Sequence, residues 1–269
     1  MLFQRSKLKP IIAIALLIAI CLSMASCLRA EAHREFPTET EPTNNNTTPP
    51  TVDTRPRVAL TYDDGPSSIT TAKIVDELKK YGYHATFFVV GNRVDRTPGQ
   101  DNGAAAMVYA YENGNEIGIH GYTHQPNYAT CSEETYQYEM TMTLNAIKAK
   151  IPGYEVRLMR PVGGSISSTR VAESPYSVIN WSVDSLDWTL RSPAGDEESI
   201  ETIVNNALKD LEDGDIILMH DIYNNTYEAT VILLARLNEM GFNVVTVSEL
   251  LGSDLYPGVK YTNGNKNGN

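Results

Sequence analysis

The chain has 269 residues, of which 42% are hydrophobic and 20% charged, and its 33 Asp and Glu against 22 Lys and Arg give a net charge of −11. This length and hydrophobic content predict one sizeable core, in a domain of about 200 residues with additional segments. The acidic balance argues against nucleic acid and against an anionic membrane surface as binding partners.

The first 27 residues have the pattern of an export signal. Arg5, Lys7 and Lys9 precede an apolar run over residues 11–22, and small residues then lead to Cys27. A basic start followed by an apolar run indicates a secretory signal, and the Ala-Ser-Cys sequence resembles a bacterial lipoprotein cleavage box. An uncleaved N-terminal anchor is the alternative, although the apolar run is short for a membrane span. In both cases we expect an extracellular domain, tethered to the outer face of the membrane through Cys27 or an anchor, or secreted.

The part of the chain after this signal is more acidic and contains one cysteine. The signal holds three of the 22 basic residues, so 19 remain against 33 acidic ones and the net charge becomes −14. Cys131 is the only cysteine left, which excludes an intramolecular disulfide. Residues 28–55 are rich in Glu, Thr, Asn and Pro, a composition typical of a disordered linker. We predict a catalytic domain over residues 56–255, a flexible tail over 256–269 and a monomer.

Short apolar runs alternate with helical patterns along the predicted domain. Seven strands are predicted, at residues 58–62, 85–90, 116–119, 156–159, 177–183, 215–219 and 243–247. Helices are predicted at residues 70–80, 104–112, 132–151, 200–211, 226–240 and 248–251. Strands that alternate with helices imply parallel pairing with crossover connections. Seven such units suit either an incomplete barrel or an open doubly wound sheet.

The positions of ionisable residues favour the barrel. Five groups follow the C-terminal ends of five strands: Asp63 with Asp64, His120 with His124, Arg160, Asp184 with Asp187, and His220. Barrel enzymes build their active sites at this edge, whereas the glycine fingerprint of a nucleotide-binding sheet and a Walker loop are missing from the sequence. The predicted fold class is therefore α/β, a distorted (β/α) barrel with about seven parallel strands.

Two adjacent aspartates, Asp63 and Asp64, end the first strand and are followed directly by Gly65 and Pro66. Neighbouring strand residues point to opposite faces, so one carboxylate could bind a metal while the other handles a proton. The alternative is an ordinary Asp-Asp-Gly turn with solvated acids.

His120 and His124 are four residues apart, which places two imidazoles on one face of a helical turn, as many zinc sites require. Gly121 stands where the zincin motif has a glutamate. Two imidazoles and one carboxylate would leave a fourth position for water, the pattern of a hydrolytic zinc site. Two surface or core histidines without a metal are the alternative.

Five short segments together resemble the motifs of the polysaccharide deacetylases, the NodB-like family also called carbohydrate esterase family 4. In chain order they are residues 61–65 (Thr-Tyr-Asp-Asp-Gly), 120–124, 160–164 (Arg-Pro-Val-Gly-Gly), 184–188 (Asp-Ser-Leu-Asp-Trp) and 218–220 (Leu-Met-His). Five motifs in the right order are far more specific than any one of them.

The resemblance implies a metal centre and a catalytic base. Asp64, His120 and His124 would hold a divalent metal, usually zinc in this family, with cobalt as a possible substitute. Asp63 would take a proton from the attacking water. Arg160 would pair with Asp63 and keep it ionised, because a nearby opposite charge favours the charged form.

The resemblance also implies a catalytic acid and a substrate pocket. His220 would protonate the leaving amine, with Asp187 keeping its imidazole charged. Trp188 and Leu218 would form the wall of a pocket for the acetyl methyl group. A backbone N–H near Gly163 would hold the oxyanion together with the metal.

Each of these residues also has an ordinary structural interpretation. Arg160 could form a surface ion pair, Trp188 could belong to the core, Asp187 could cap a helix and His220 could be a hydrogen-bonded core histidine.

The sequence departs from the family pattern at two positions. Gly121 stands where the family often has Ser or Thr, and Gly163 stands where many members have Tyr. Neither change removes a metal ligand or a proton-transfer group, so they bear on substrate preference more than on activity.

The resemblance therefore implies an exported hydrolase that removes N-acetyl groups from an extracellular glycan. The expected substrates are N-acetylglucosamine residues of peptidoglycan or of chitin-like oligomers. An O-deacetylase acting on acetylated xylan is one alternative, and an inactive glycan-binding lipoprotein of the same fold is another.

Overall fold

A computed structural model describes residues 53–96, 103–191 and 195–264 of the chain. The predicted signal and nearly all of the predicted linker lie outside the described residues. Within these ranges, the helices are too short or too polar to cross a membrane.

The described residues contain a nine-stranded sheet. Its strands are β1 Arg57–Asp63, β2 Thr86–Val89, β3 Glu116–Ile119, β4 Leu158–Met159, β5 Ser177–Ile179, β6 Val183–Asp184, β7 Ile216–His220, β8 Asn243–Val244 and β9 Lys260–Tyr261. The order across the sheet is β6-β7-β1-β2-β3-β4-β5-β9, with β8 paired to the start of β1, and the strand pairs are parallel.

Helices connect most of the successive strands. They are α1 Thr71–Tyr81, α2 Gly91–Val94, α3 Ala104–Glu112, α4 Glu133–Lys150, α5 Ser168–Glu173, α6 Glu197–Leu208, α7 Asn224–Glu239 and α8 Val247–Leu251. Helix α4 begins where predicted because the Ser132 side chain accepts a hydrogen bond from the Thr135 N–H, and Glu133 and Glu134 lie near its positive end.

The sheet is curled, which confirms the predicted distorted (β/α) barrel. β5 and β6 lie towards opposite ends of the strand order, yet residues 180–182 alone connect them. Three residues span roughly 10 Å at most, so the two ends of the sheet must approach each other. The Asn180 N–H bonds to Tyr261 at one end and the Ser182 N–H to Ile216 at the other. The result is a half-barrel of parallel strands with helices.

Strand β1 contributes side chains to two apolar clusters. Val58, Leu60 and Tyr62 pack into a large cluster that includes helix residues, whereas Ala59 packs with Phe88 in a smaller cluster. Because strand side chains alternate between faces, Asp63 shares the face of Ala59.

Several sequence predictions need correction. Residues 120–124, predicted to form a helical turn, lie in a loop, and the strand predicted at 156–159 is reduced to Leu158–Met159. The strand predicted at 177–183 is two strands, β5 and β6, because each half pairs with a different neighbour. The strand predicted at 243–247 ends at Val244, since Thr246 and Glu249 form a capping box that begins α8. The tail predicted at 256–269 is not loose throughout, because β9 pairs with β5. Residues 265–269 lie outside the described residues.

Candidate active site

One carboxylate and two imidazoles converge beyond the C-terminal ends of β1 and β3. One ligand atom from each of Asp64, His120 and His124 lies within 4.8 Å of the others. Oδ1 of Asp64 is 2.8 Å from His124 Nε2 and 3.5 Å from His120 Nε2. Asp64 and His124 both have left-handed backbone conformations, with φ of 71° and 58°. Such conformations cost about 1–3 kcal/mol each and cluster at functional sites.

This donor set fits a divalent cation. The Asp64 Oδ1 atom is buried and has no hydrogen-bond partner among the described residues, so its approach to His124 is not a well-formed hydrogen bond. His120 Nδ1 lies 2.9 Å from the carbonyl oxygen of Arg160. A carbonyl oxygen only accepts, so Nδ1 carries the proton and the lone pair of Nε2 is available to a metal. Two imidazole nitrogens and a carboxylate are an established ligand set for zinc.

Asp63 is held beside this centre by a buried arginine. Its Oδ1 atom accepts a hydrogen bond from Arg160 Nη1 at 2.8 Å, and its Oδ2 atom lies 3.6 Å from His120 Nε2. Asp63 is 3% exposed and Arg160 is fully buried. Burial lowers the pKa of Arg160 and the charge of Asp63 opposes that shift. Arg160 is therefore not a surface residue: it is a buried cation paired with the proposed base.

Four further contacts fix the orientation of Arg160. Its other partners are Thr61 Oγ1 at 2.7 Å, the Ile179 carbonyl at 3.2 Å, the Asn180 carbonyl at 3.0 Å and the ring of Phe88 at 4.3 Å from its guanidinium carbon. A planar guanidinium held on every side can present only one edge to Asp63.

Asp187 and His220 form a second acid–base pair on a neighbouring strand. The Asp187 carboxylate is buried and accepts hydrogen bonds from the His220 Nδ1–H at 2.8 Å, the His220 N–H at 2.7 Å, the Trp188 N–H at 2.8 Å and Thr226 Oγ1 at 2.7 Å. A carboxylate only accepts, so Nδ1 of His220 carries a proton and Nε2 is free for chemistry. Asp187 does begin a 3₁₀ turn, Asp187–Thr189, but its carboxylate serves the histidine.

The environment of His220 favours its charged form. Burial alone would lower the pKa of its imidazole, but the hydrogen bond and charge of Asp187, with the charges of Asp63 and Asp64, raise the pKa to about 9. Asp63 and His220 occupy paired positions of adjacent strands, so their side chains start from the same face of the sheet.

Of the three predicted substrate-contacting residues, Trp188 and Gly163 lie in segments that follow strands, and Leu218 lies within a strand. Trp188 follows β6 and is 43% exposed, so it is not a core residue, while Leu218 lies in β7 and is 4% exposed. Gly163 follows β4 with a φ of 59°, and a Cβ atom built on it would meet nothing within 4 Å. A glycine here leaves open space where a larger residue would stand.

Glu139 is a residue of this site that the sequence analysis missed. It lies in α4, is 2% exposed, and ties down the loop between the two histidines. Its Oε2 atom accepts hydrogen bonds from the Tyr122 N–H at 2.6 Å and the Thr123 N–H at 2.8 Å, and its Oε1 atom from Thr123 Oγ1 at 2.5 Å. Its spacing from the buried residues Tyr136 and Thr143 places it on the inward face of the helix, a signal that could have found it.

The same loop explains the departure at Gly121. Its φ is +85°, and a Cβ atom there would lie 2.0 Å from the Tyr128 hydroxyl oxygen and 3.0 Å from Glu139 Oε2. Tyr128 thus occupies the space that a Ser or Thr side chain would need.

Replacing Glu139 by Gln should weaken metal binding. The amide offers an NH₂ group where the carboxylate accepts hydrogen bonds, so the loop carrying His124 loses part of its support. Residues that orient metal ligands typically contribute about 10- to 100-fold in affinity, and we expect a loss near the lower value. Competition with a chromophoric chelator measures it, with Glu134→Gln, exposed on the same helix, as the matched control. Unchanged affinity alongside reduced thermal stability would show that Glu139 supports only the fold.

Comparison with known proteins gives a consistent set of relatives. The chain matches the model of the family described as Polysaccharide deacetylase over residues 51–176. It is 37% identical over 201 residues to the peptidoglycan-N-acetylmuramic acid deacetylase PdaC of Bacillus subtilis, an alignment covering 74% of this chain and 40% of that protein. It is 33% identical over 203 residues to a peptidoglycan-N-acetylglucosamine deacetylase of Bacillus cereus, covering 72% of this chain and 87% of the relative.

The structural comparison agrees with the sequence comparison. A family 4 acetyl xylan esterase from Clostridium thermocellum, solved in complex with a cobalt ion, superposes with a TM-score of 0.68 at 29% identity, covering 78% of this chain and all of that one. The chain spans about two fifths of the length of the Bacillus subtilis relative.

Proposed function

Since this chain belongs to the polysaccharide deacetylase family, we propose that it is an exported, metal-dependent hydrolase that removes N-acetyl groups from an extracellular glycan. The proposed substrates are N-acetylglucosamine residues of peptidoglycan or of chitin-like oligomers. The observation that carries the proposal is the placement of a buried Asp63–Arg160 pair and an Asp187–His220 pair at the C-terminal ends of the adjacent strands β1 and β7, beside the Asp64 carboxylate.

Asp64, His120 and His124 would hold the divalent cation, with zinc as the proposed metal and cobalt as an alternative. When bound, the cation would polarise the acetyl carbonyl and lower the pKa of a nearby water. The proton transfers of the reaction are assigned to side chains of the protein.

Asp63 and His220 would move the two protons of the reaction. Water adds to the acetyl carbonyl carbon and gives a proton to Asp63, which Arg160 orients through a charge-assisted hydrogen bond. His220 gives its Nε2 proton to the glycan nitrogen as the carbon–nitrogen bond breaks, so the products are acetate and an amine. Trp188 and Leu218 would bound the pocket for the acetyl methyl group, and the Gly163 N–H would face the carbonyl oxygen.

The pH dependence of activity should report His220. The reaction needs its protonated form, so activity should fall as the pH rises through its pKa, which is about 9. A bound cation offsets the charge of Asp64 and moves this limb to lower pH. Asp187→Asn should move the limb further down, because the carboxylate that stabilises the imidazolium is removed. Profiles of kcat/KM against pH for wild type and Asp187→Asn test this. Alkaline limbs that superimpose would contradict the role of His220 as the acid.

An O-deacetylase is the second candidate, because a solved relative is named an acetyl xylan esterase. The same residues can hydrolyse an ester. An alkoxide leaving group depends less on protonation by an acid than an amine leaving group does. Acetate release by the purified chain from chitin oligomers, peptidoglycan strands and acetylated xylan separates the two. Preference for xylan would overturn N-deacetylation, and no release from any substrate would favour a glycan-binding protein.

The sequence supports attachment of the chain to the outer face of the membrane through a lipid on Cys27. In cells, Cys27→Ala should move the protein from the membrane fraction to the medium or leave its signal uncut. Mass spectrometry of the mature N-terminus checks this, and a lipid-free N-terminus at another residue would contradict it.

A further inference from the structure

A positively charged side chain lies beside the proposed acid. The Nε–H of Arg191 donates a hydrogen bond to the Trp188 carbonyl at 2.6 Å, and the Arg191 guanidinium carbon lies 5.2 Å from the centre of the Tyr223 ring. The centre of that ring is 6.1 Å from the centre of the His220 ring. Arg191 is therefore held by two contacts, one side chain away from His220.

Arg191 forms no ion pair with an acidic side chain among the described residues, in contrast to Arg160, Arg170 and Arg236.

The charge of Arg191 acts on the Tyr223 ring. Burial raises the pKa of Tyr223 and the negative charges of Asp64 and Asp187 add to that shift, while the positive charges of Arg191 and Arg93 oppose it. A negatively charged ligand would be attracted to the Arg191 guanidinium.

Exposed apolar side chains accompany this charge. Trp188 is 43% exposed and Leu186 40% exposed, both in the segment that leads to Arg191. An aromatic surface next to a fixed guanidinium suits a sugar ring that carries an acid, because the ring packs on the apolar face while the guanidinium binds the carboxylate.

We propose that Arg191, resting on Tyr223, forms a subsite for a saccharide that carries a carboxylate. This inference rests on the proposed deacetylase function and refines its substrate class. The Nε–H of Arg191 is used by Trp188, which leaves the terminal NH₂ groups for the ligand. N-acetylmuramic acid without a peptide stem has a free carboxylate and N-acetylglucosamine does not, so the subsite would favour stem-free peptidoglycan strands over chitin oligomers.

The test compares substrates that differ only in charge. Acetate release by the zinc-loaded full chain is measured on peptidoglycan glycan strands and on the same strands after reduction of their carboxylates to alcohols. Strands with and without peptide stems distinguish the carboxylate of the sugar from those of the peptide. Arg191→Gln removes the charge, and Arg236→Gln, on α7 and paired with Glu201, is the matched control.

We expect wild type to prefer carboxylated over reduced strands when the stems are absent, because a stem converts the carboxylate of the sugar into an amide. Arg191→Gln should reduce this preference about tenfold, the effect of losing one charge-assisted hydrogen bond, and Arg236→Gln should not change it. Equal kcat/KM on both strands for wild type, or an unchanged preference in Arg191→Gln, overturns the proposal. A preference that vanishes when the stems are removed assigns the charge to the peptide and overturns the sugar subsite.

Binding decides the matter independently of turnover. If neither these strands nor chitin oligomers release acetate, the deacetylase proposal fails, and calorimetric titration of the same strands into wild type and Arg191→Gln still tests the subsite. Tighter binding of carboxylated strands that is lost in Arg191→Gln supports it, and equal binding overturns it.

Discussion

Removal of divalent metal by a strong chelator should abolish acetate release, and zinc or cobalt should restore it. The reason lies in the side chains that converge beyond the C-terminal ends of β1 and β3. Oδ1 of Asp64 is buried without a hydrogen-bond partner in the described part of the chain, and Nε2 of His120 has a free lone pair because Nδ1 is bound to a carbonyl. A buried carboxylate oxygen facing two imidazoles is stabilised by a cation.

His124→Ala tests the same site without chelator. The His124 side chain is 39% exposed, so its truncation should leave the fold intact while removing one ligand of three. Metal content by elemental analysis should fall, and activity with it, to the background level. His84→Ala is the matched control, since His84 precedes β2 and therefore lies at the N-terminal ends of the strands, away from the proposed metal site. Full activity in a sample shown to be free of metal would contradict the proposed centre.

The fold class and the end of the first strand could be predicted because they follow from local patterns. The apolar run before Asp63 and the breaker residues Gly65 and Pro66 define where β1 ends. The two carboxylates have different partners, as expected, with Asp63 bonded to Arg160 and Asp64 close to His124. Strand alternation is not the cause, because Asp64 lies beyond β1 in a left-handed conformation.

The burial of Arg160 could not be predicted, because it depends on contacts from distant parts of the chain. Its guanidinium bonds to Thr61 on β1 and to carbonyls after β5, which only the curled sheet brings together. From the sequence alone, a surface ion pair of Arg160 remained an alternative. The curling of the sheet buries Arg160 and excludes that alternative.

The break of the strand at 177–183 and the strand β9 were missed for a related reason. The sequence over 177–183 was interpreted as one continuous strand. The change of partner between Ile179 and Val183 depends on the tertiary fold, in which β5 pairs with β9 and β6 pairs with β7. β9 is only two residues long within an Asn- and Gly-rich stretch, and its pairing with β5 comes from the tertiary fold.

Asp63→Asn should separate metal binding from catalysis. The substitution keeps the size of the side chain and leaves Asp64, His120 and His124 in place, so metal should still bind. Asn has no basicity in this range and cannot accept the proton of the attacking water, so turnover should fall by about 10²-fold or more.

The same substitution leaves the buried Arg160 cation without its carboxylate, so a loss of stability could be mistaken for a loss of catalysis. Removing one partner of a buried ion pair costs roughly 3–5 kcal/mol, and thermal unfolding should show it. Thr61→Val is the control. It removes the hydroxyl that accepts a hydrogen bond from the Arg160 guanidinium at 2.7 Å, and it leaves Asp63 in place. We expect Thr61→Val to unfold at lower temperature yet keep turnover within a few-fold of wild type, whereas Asp63→Asn loses turnover at temperatures where it remains folded and metal-bound. If Asp63→Asn retains near-full turnover with metal bound, Asp63 is not the base, and the division of labour between Asp63 and His220 is wrong.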